Sequence, residues 1–165
     1  MGLETVVNLL DKYNLPWLLL AVLTWVLVLL TCSLSFLWQT MPVGIWTMIT
    51  GGIIEQFFIY HKFWTEKFIM IHLGELDLFV LAGPFFTLGI LLIRFLPRNR
   101  WLVFLSILAW SVVATFIEIA ALKLGFLAYD PEKWWLAHSL GTYYFSLMSA
   151  LGFFCVYSNK LIYRY

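Results

Sequence analysis

The chain has 165 residues and a net charge of +1, and it is 63% hydrophobic and 12% charged, with a mean hydropathy of +0.92. A soluble domain is about 25% charged, so half of the usual solvating surface is missing and a water-soluble globule is excluded. The near-neutral balance, with no basic tract, implies no nucleic-acid partner.

Residues 1–15 read as a short interfacial segment. Leu3, Val6, Val7 and Leu10 repeat at helical spacing, with Glu4, Asp11 and Lys12 off that face. Pro16 is a favoured first-turn residue and opens the first span. That span, residues 16–38, holds no charge over its whole length and has Trp17 and Trp38 at its ends. It lacks a basic lead-in and reads as an uncleaved span, not a signal peptide. Gln39 to Pro42 predicts a tight turn that sets the second span, residues 42–60, antiparallel beside the first.

The connector over residues 61–75 is polar, with room for a short amphipathic helix. The third span covers residues 76–96, and Pro84 predicts a kink in its middle. Pro97 to Arg100 forms a tight turn, and the fourth span follows at 101–122. A mixed connector leads to the fifth span at 138–157, whose first half is unusually polar. Cys32 and Cys155 both fall in apolar runs and read as buried small hydrophobes. The expected fold is all-α: an integral membrane bundle of five transmembrane helices in a single domain. Arg94, Arg98 and Arg100 crowd one short turn, which places that side, and the carboxy terminus, in the cytoplasm.

Glu55 and Glu118 lie within spans, where a carboxylate costs about 2.5–3.5 kcal/mol on insertion scales. Thr40, Gly44, Thr47, Gly51 and Glu55 form one helix face. Ser111, Thr115 and Glu118 form another, beside Ala114 and Ala121, and Ser139, Thr142, Tyr143, Ser146 and Ser149 a third. Such stripes serve close helix packing in lipid. Depth adds information. Spans two and four run the same way, and at a rise of about 1.5 Å per residue each glutamate sits about 7–8 Å below the same interface. Asp77, His138, Ser139 and Tyr143 fall in the same leaflet. Trp134 and Trp135 flank the mouth that this clustering implies.

The chain lacks His-Glu-x-x-His, Gly-x-Ser-x-Gly and a glycine-rich phosphate loop. Adjacent His138 and Ser139 point about 100° apart on a helix, which rules out a direct base and nucleophile pair. No catalytic residue, metal site or cofactor is assigned. Pro84, Pro97, Glu118, Tyr129, the Trp134–Trp135 pair, Ser139 and Tyr143 form a spaced pattern over the second half of the chain. On these residues it resembles a family of uncharacterised small polytopic membrane proteins of spore-forming Gram-positive bacteria. The segment Asp130 to Lys133 and the doubled tryptophan depart from the family's pattern. The resemblance implies a plasma-membrane protein and no established activity.

The residues support a non-enzymatic reading, in which a polar intramembrane pocket around Glu55 and Glu118 binds a lipid, a small molecule or a partner. Alternatives are a proton-coupled small-molecule carrier, which at this size requires a homo-oligomer, and a membrane enzyme acting on a lipid or isoprenoid with a glutamate as general acid.

Overall fold

The computed structural model describes residues 12–162. Most of the expected interfacial segment, residues 1–11, lies outside the described residues. The described chain forms five helices: α1 (Pro16–Thr31), α2 (Leu34–Tyr60), α3 (Leu78–Arg94), α4 (Arg100–Lys123) and α5 (Leu136–Ile162). Three of them, α2, α4 and α5, are long and apolar enough to cross a membrane, whereas α1 and α3 are apolar but shorter. Their outer faces carry large exposed hydrophobics, among them Leu30, Leu34, Phe116 and Phe145. Apolar exposure on this scale suits lipid and not water.

The first reversal is not where Pro42 suggests. α1 stops at Thr31, Cys32 is extended, and Ser33 caps α2 by accepting the Phe36 N–H at 3.3 Å. Pro42 lies inside α2. A capped break offers the orphan donors a partner, whereas an interior proline removes one hydrogen bond and is tolerated in apolar helices. The expected turn at Gln39–Pro42 is thereby corrected, and the first apolar helix is 16 residues long.

Helix α3 is the shared support. Asp77 caps it, accepting the Phe79 N–H at 2.8 Å. Around Pro84 the kink takes the form of a π-helical turn over Leu81–Phe85. On one side α1 runs parallel to α3, with Trp25 Nε1 donating to the Ala82 carbonyl at 2.8 Å and the Trp25 ring stacked on Phe86. On the other side α2 runs antiparallel, with Gly44 under the Phe86 ring and Gly51 under Phe85. The small-residue stripe of α2 is therefore a packing surface for α3. Helix α5 packs on α2, and α4 packs on α5. The order around the bundle is α1, α3, α2, α5, α4.

The connectors at one end are ordered by strand pairing, which corrects both a purely helical fold and the expected short helix in residues 61–75. β1 (Trp64–Glu66) pairs antiparallel with β4 (Leu127–Tyr129), in the register Trp64↔Tyr129 and Glu66↔Leu127. β2 (His72–Leu73) pairs with β3 (Leu76–Asp77) across a turn containing Gly74. Pairing satisfies backbone groups that a plain loop beside lipid leaves open. Beneath this cap Phe58, Phe63, Trp64, Tyr129 and Trp134 form an aromatic cluster. Of the two free cysteines, Cys32 is buried as expected, but Cys155 is exposed on the apolar exterior of α5.

The α1–α3 contact is the tightest backbone approach in this core. A methyl group on Gly83 would sit 2.5 Å from the Ala21 Cα, while one on Gly141 meets nothing within 4 Å. Gly83→Ala is expected to destabilise the folded protein by about 1–3 kcal/mol, the usual range for overpacking. Gly141→Ala is expected to leave stability unchanged. Unfolding of both variants in detergent checks the contrast, and equal midpoints would mean that α1 is free to move aside.

Candidate functional site

The site is built where four elements end together under the cap. Glu118 comes from the last turns of α4 and Ser139 from the first turn of α5. Ser139 Oγ donates to Glu118 Oε1 at 2.8 Å, accepts the Trp134 indole N–H at 2.8 Å, and lies 3.1 Å from the Tyr129 hydroxyl. Ser139, Glu118 and Trp134 are all buried. One hydroxyl thus links α4, α5, β4 and the segment before α5.

Glu118 has a second oxygen, buried and without a hydrogen bond of ordinary length, although the Tyr143 hydroxyl lies beside the carboxyl. Glu118 belongs to the wall of a cavity of about 130 Å³. The polar lining of that cavity comes from Glu55 on α2, Glu66 on β1, Glu118 on α4 and Tyr143 on α5, with Thr24 and Thr87 farther round. The remaining wall is apolar, supplied by α1, α3 and α4, including Trp17, Phe85 and Trp110. Trp64 lies beside Glu55, but its indole N–H is buried and unpartnered. A smaller cavity of about 40 Å³ shares Glu55 and Tyr143 and continues between α2, α3 and α5, past Thr47, Thr142 and Ser146.

Three carboxyl groups therefore face one space. Among the described residues the single salt bridge joins Lys133 to Asp130 at 3.2 Å and includes none of these acids. Glu66 accepts the Asp77 backbone N–H through Oε2 at 3.1 Å. Burial outweighs that bond and, with the Asp77 charge nearby, pushes the Glu66 carboxyl up to about 7.

The expected residues divide. Glu55, Glu118 and Tyr143 line the cavity, and Ser139 and Trp134 hold Glu118 in place. Asp77 is fully buried but structural: its Oδ2 accepts the Met70 N–H at 2.6 Å while Oδ1 caps α3. His138 is exposed, and its Nδ1 accepts the Trp135 N–H at 3.1 Å. Trp135 is also exposed and does not flank the cavity. Asp77 and His138 are not brought into the lining because each sits at a helix start, where its polar atoms serve nearby backbone N–H groups. Glu66 is the residue missed. Its signal was the alternation of Trp64, Thr65 and Glu66, which in a strand puts Trp64 and Glu66 on one face.

Ser139→Ala leaves Glu118 Oε1, Trp134 Nε1 and the Tyr129 hydroxyl short of a partner at once. Stability is expected to fall by about 1–3 kcal/mol for each group left unsatisfied, and Ser139→Thr is expected to recover part of the loss. Chemical unfolding in detergent reads both. Glu66 gives a pH dependence. Folded, it keeps its proton up to about pH 7; unfolded, a glutamate releases it near pH 4.3, roughly. Its stabilising contribution is full below the unfolded value and is lost as pH rises through the folded one. Stability is thus expected to decline between about pH 4 and 7, with Glu66→Gln flattening the slope in thermal unfolding.

Compared with known proteins, the chain matches no family model, no curated protein and no solved structure. What the cavity does is therefore argued from its own chemistry.

Proposed function

We propose that this is a five-span membrane protein whose cavity around Glu55, Glu66 and Glu118 binds a ligand taken from the membrane or from the capped side. The observation that carries this reading is the buried, unpartnered Glu118 oxygen on the wall of a largely apolar cavity. An unsatisfied buried carboxylate oxygen costs at least about 1–3 kcal/mol. A donor brought by a ligand would relieve that cost. Pockets of this kind, apolar with a few convergent polar groups, are the usual form of small-molecule sites.

Crossing by all five helices is part of the proposal. The alternating directions of α1 to α5 and the exposed apolar residues on α1, such as Leu19, Leu23 and Leu30, support it. The arginines at the α3–α4 turn favour that end in the cytoplasm, and the resemblance over the second half of the chain favours the plasma membrane.

A second reading, the proton-coupled carrier, gains support from the smaller cavity. There Thr47, Thr142, Tyr143 and Ser146 continue the polar lining beyond Glu55, as a relay would require.

The test is native mass spectrometry of protein released from its own membrane, with reporters fused to the two ends. Wild type is expected to carry an additional bound mass that Glu55→Gln and Glu118→Gln each lose, and the reporters to fall on opposite sides of the membrane. Identical spectra for wild type and variants would overturn the binding reading, and reporters on one side would overturn the five-span reading.

A further inference from the structure

The ligand's class follows from the shape and charge of the cavity, an argument that rests on the binding reading above. Around the bundle, α3 contacts each of the other four helices, but α1 and α4 leave a gap between them. A groove of about 160 Å³ occupies that gap. Its outer walls are Leu19 and Leu23 of α1, Ala120 of α4 and Leu124 just past the end of α4. Trp17, Leu20, Ile117 and Ala121 line both this groove and the acid-lined cavity. The two spaces therefore share walls. The lipid-facing groove adjoins the acid-lined cavity across these apolar side chains.

The carboxyl groups at the inner end lack a cationic partner among the described residues. Glu55, Glu66 and Glu118 face the cavity, and none forms a salt bridge among the described residues. Glu118 presents a free oxygen from a side chain only 7% exposed. Burial keeps an acid without an opposite charge protonated, and an ammonium within hydrogen-bond reach lets it ionise and pair.

We propose that the cavity takes a single-chain amphiphile with a protonated amine head, the head seated against Glu118 and Glu55 and the hydrocarbon tail leaving through the α1–α4 groove. A phosphate-bearing head is disfavoured, because it would bring anionic oxygens into an apolar space whose lining holds no cation. A fatty acid is disfavoured on the same ground. A short amine lacking a tail forgoes the groove and the burial it offers.

Binding is read in phosphatidylcholine nanodiscs through intrinsic fluorescence, because Trp17 and Trp110 line the cavity. Dodecylammonium, dodecanol and butylammonium are titrated against protein-loaded and empty discs, so that partition into lipid is subtracted. Dodecylammonium is expected to give a saturable change, with dodecanol and butylammonium each at least tenfold weaker, roughly the effect of leaving a buried charge unpaired. Glu118→Gln is expected to weaken dodecylammonium by a similar factor. Ala120→Leu, on the exposed groove wall, is expected to slow its association while leaving the fold intact.

Dodecanol binding as tightly as dodecylammonium, with both lost in Glu118→Gln, would keep the binding site and overturn the cationic head. Equal binding of butylammonium would overturn the tail. Unchanged association in Ala120→Leu would overturn access between α1 and α4. Phosphatidylethanolamine in the disc that competes with dodecylammonium would overturn the exclusion of phosphate. Saturable binding unaffected by Glu118→Gln, or none by any probe, would overturn this proposal, whereas the binding reading falls only if the native spectra of wild type and variants are identical as well.

Discussion

The hydroxyl of Ser139 is the constraint on which the capped end depends. It meets a carboxyl from α4, an indole from the segment before α5 and a phenol from β4 within 3.1 Å. A hydroxyl offers one donor and two acceptor positions, so this group is used to capacity. Ser139 is buried, and buried polar atoms that lack an internal partner are penalised more heavily than those at a protein surface. The bond therefore fixes more than a side chain. It holds the end of α4 to the start of α5 and leaves one glutamate oxygen directed away from the hub, toward the cavity.

The aromatic cap works with that bond. Trp64 and Trp134 are nearly inaccessible, and their rings lie 4.5 Å apart, centroid to centroid, at a steep angle. Edge-to-face packing of this kind adds about 0.5–1.5 kcal/mol to simple burial. The strands position the rings, since Trp64 pairs across the ladder with Tyr129. The cap thus lies over the end of the bundle where the acid-lined space is found.

Much of this was legible in the residues. Helical spacing and the parity of the spans brought Glu55, Glu118, Ser139 and Tyr143 to one level, because a helix converts sequence distance into depth at a constant rate. The same arithmetic misjudged Asp77 and His138. Depth says nothing about direction, and at a helix start a polar side chain finds backbone N–H groups closer than any distant partner. Glu66 escaped notice because a charged connector resembles a solvated loop until strand pairing turns it inward. The first reversal was obscured for another reason. Proline is a conspicuous punctuation mark, whereas Cys32 and Ser33 are quiet residues whose capping role shows only once the chain has turned.

The wide turn in α3 has a consequence for how this helix serves two neighbours. An α-helix advances about 100° per residue, and a π-helical turn absorbs one extra residue without unwinding the rest. Upstream of that turn Val80 packs with Trp17; downstream, Gly89 lies against Thr47 of α2. Removing one residue from Leu81–Phe85 would regularise the helix yet swing everything beyond it by about a quarter turn or more. Gly89 would then rotate off α2, and bulkier neighbours would meet it instead. The surplus residue acts as a phase shifter, letting a single rod present correctly matched faces to α1 and to α2.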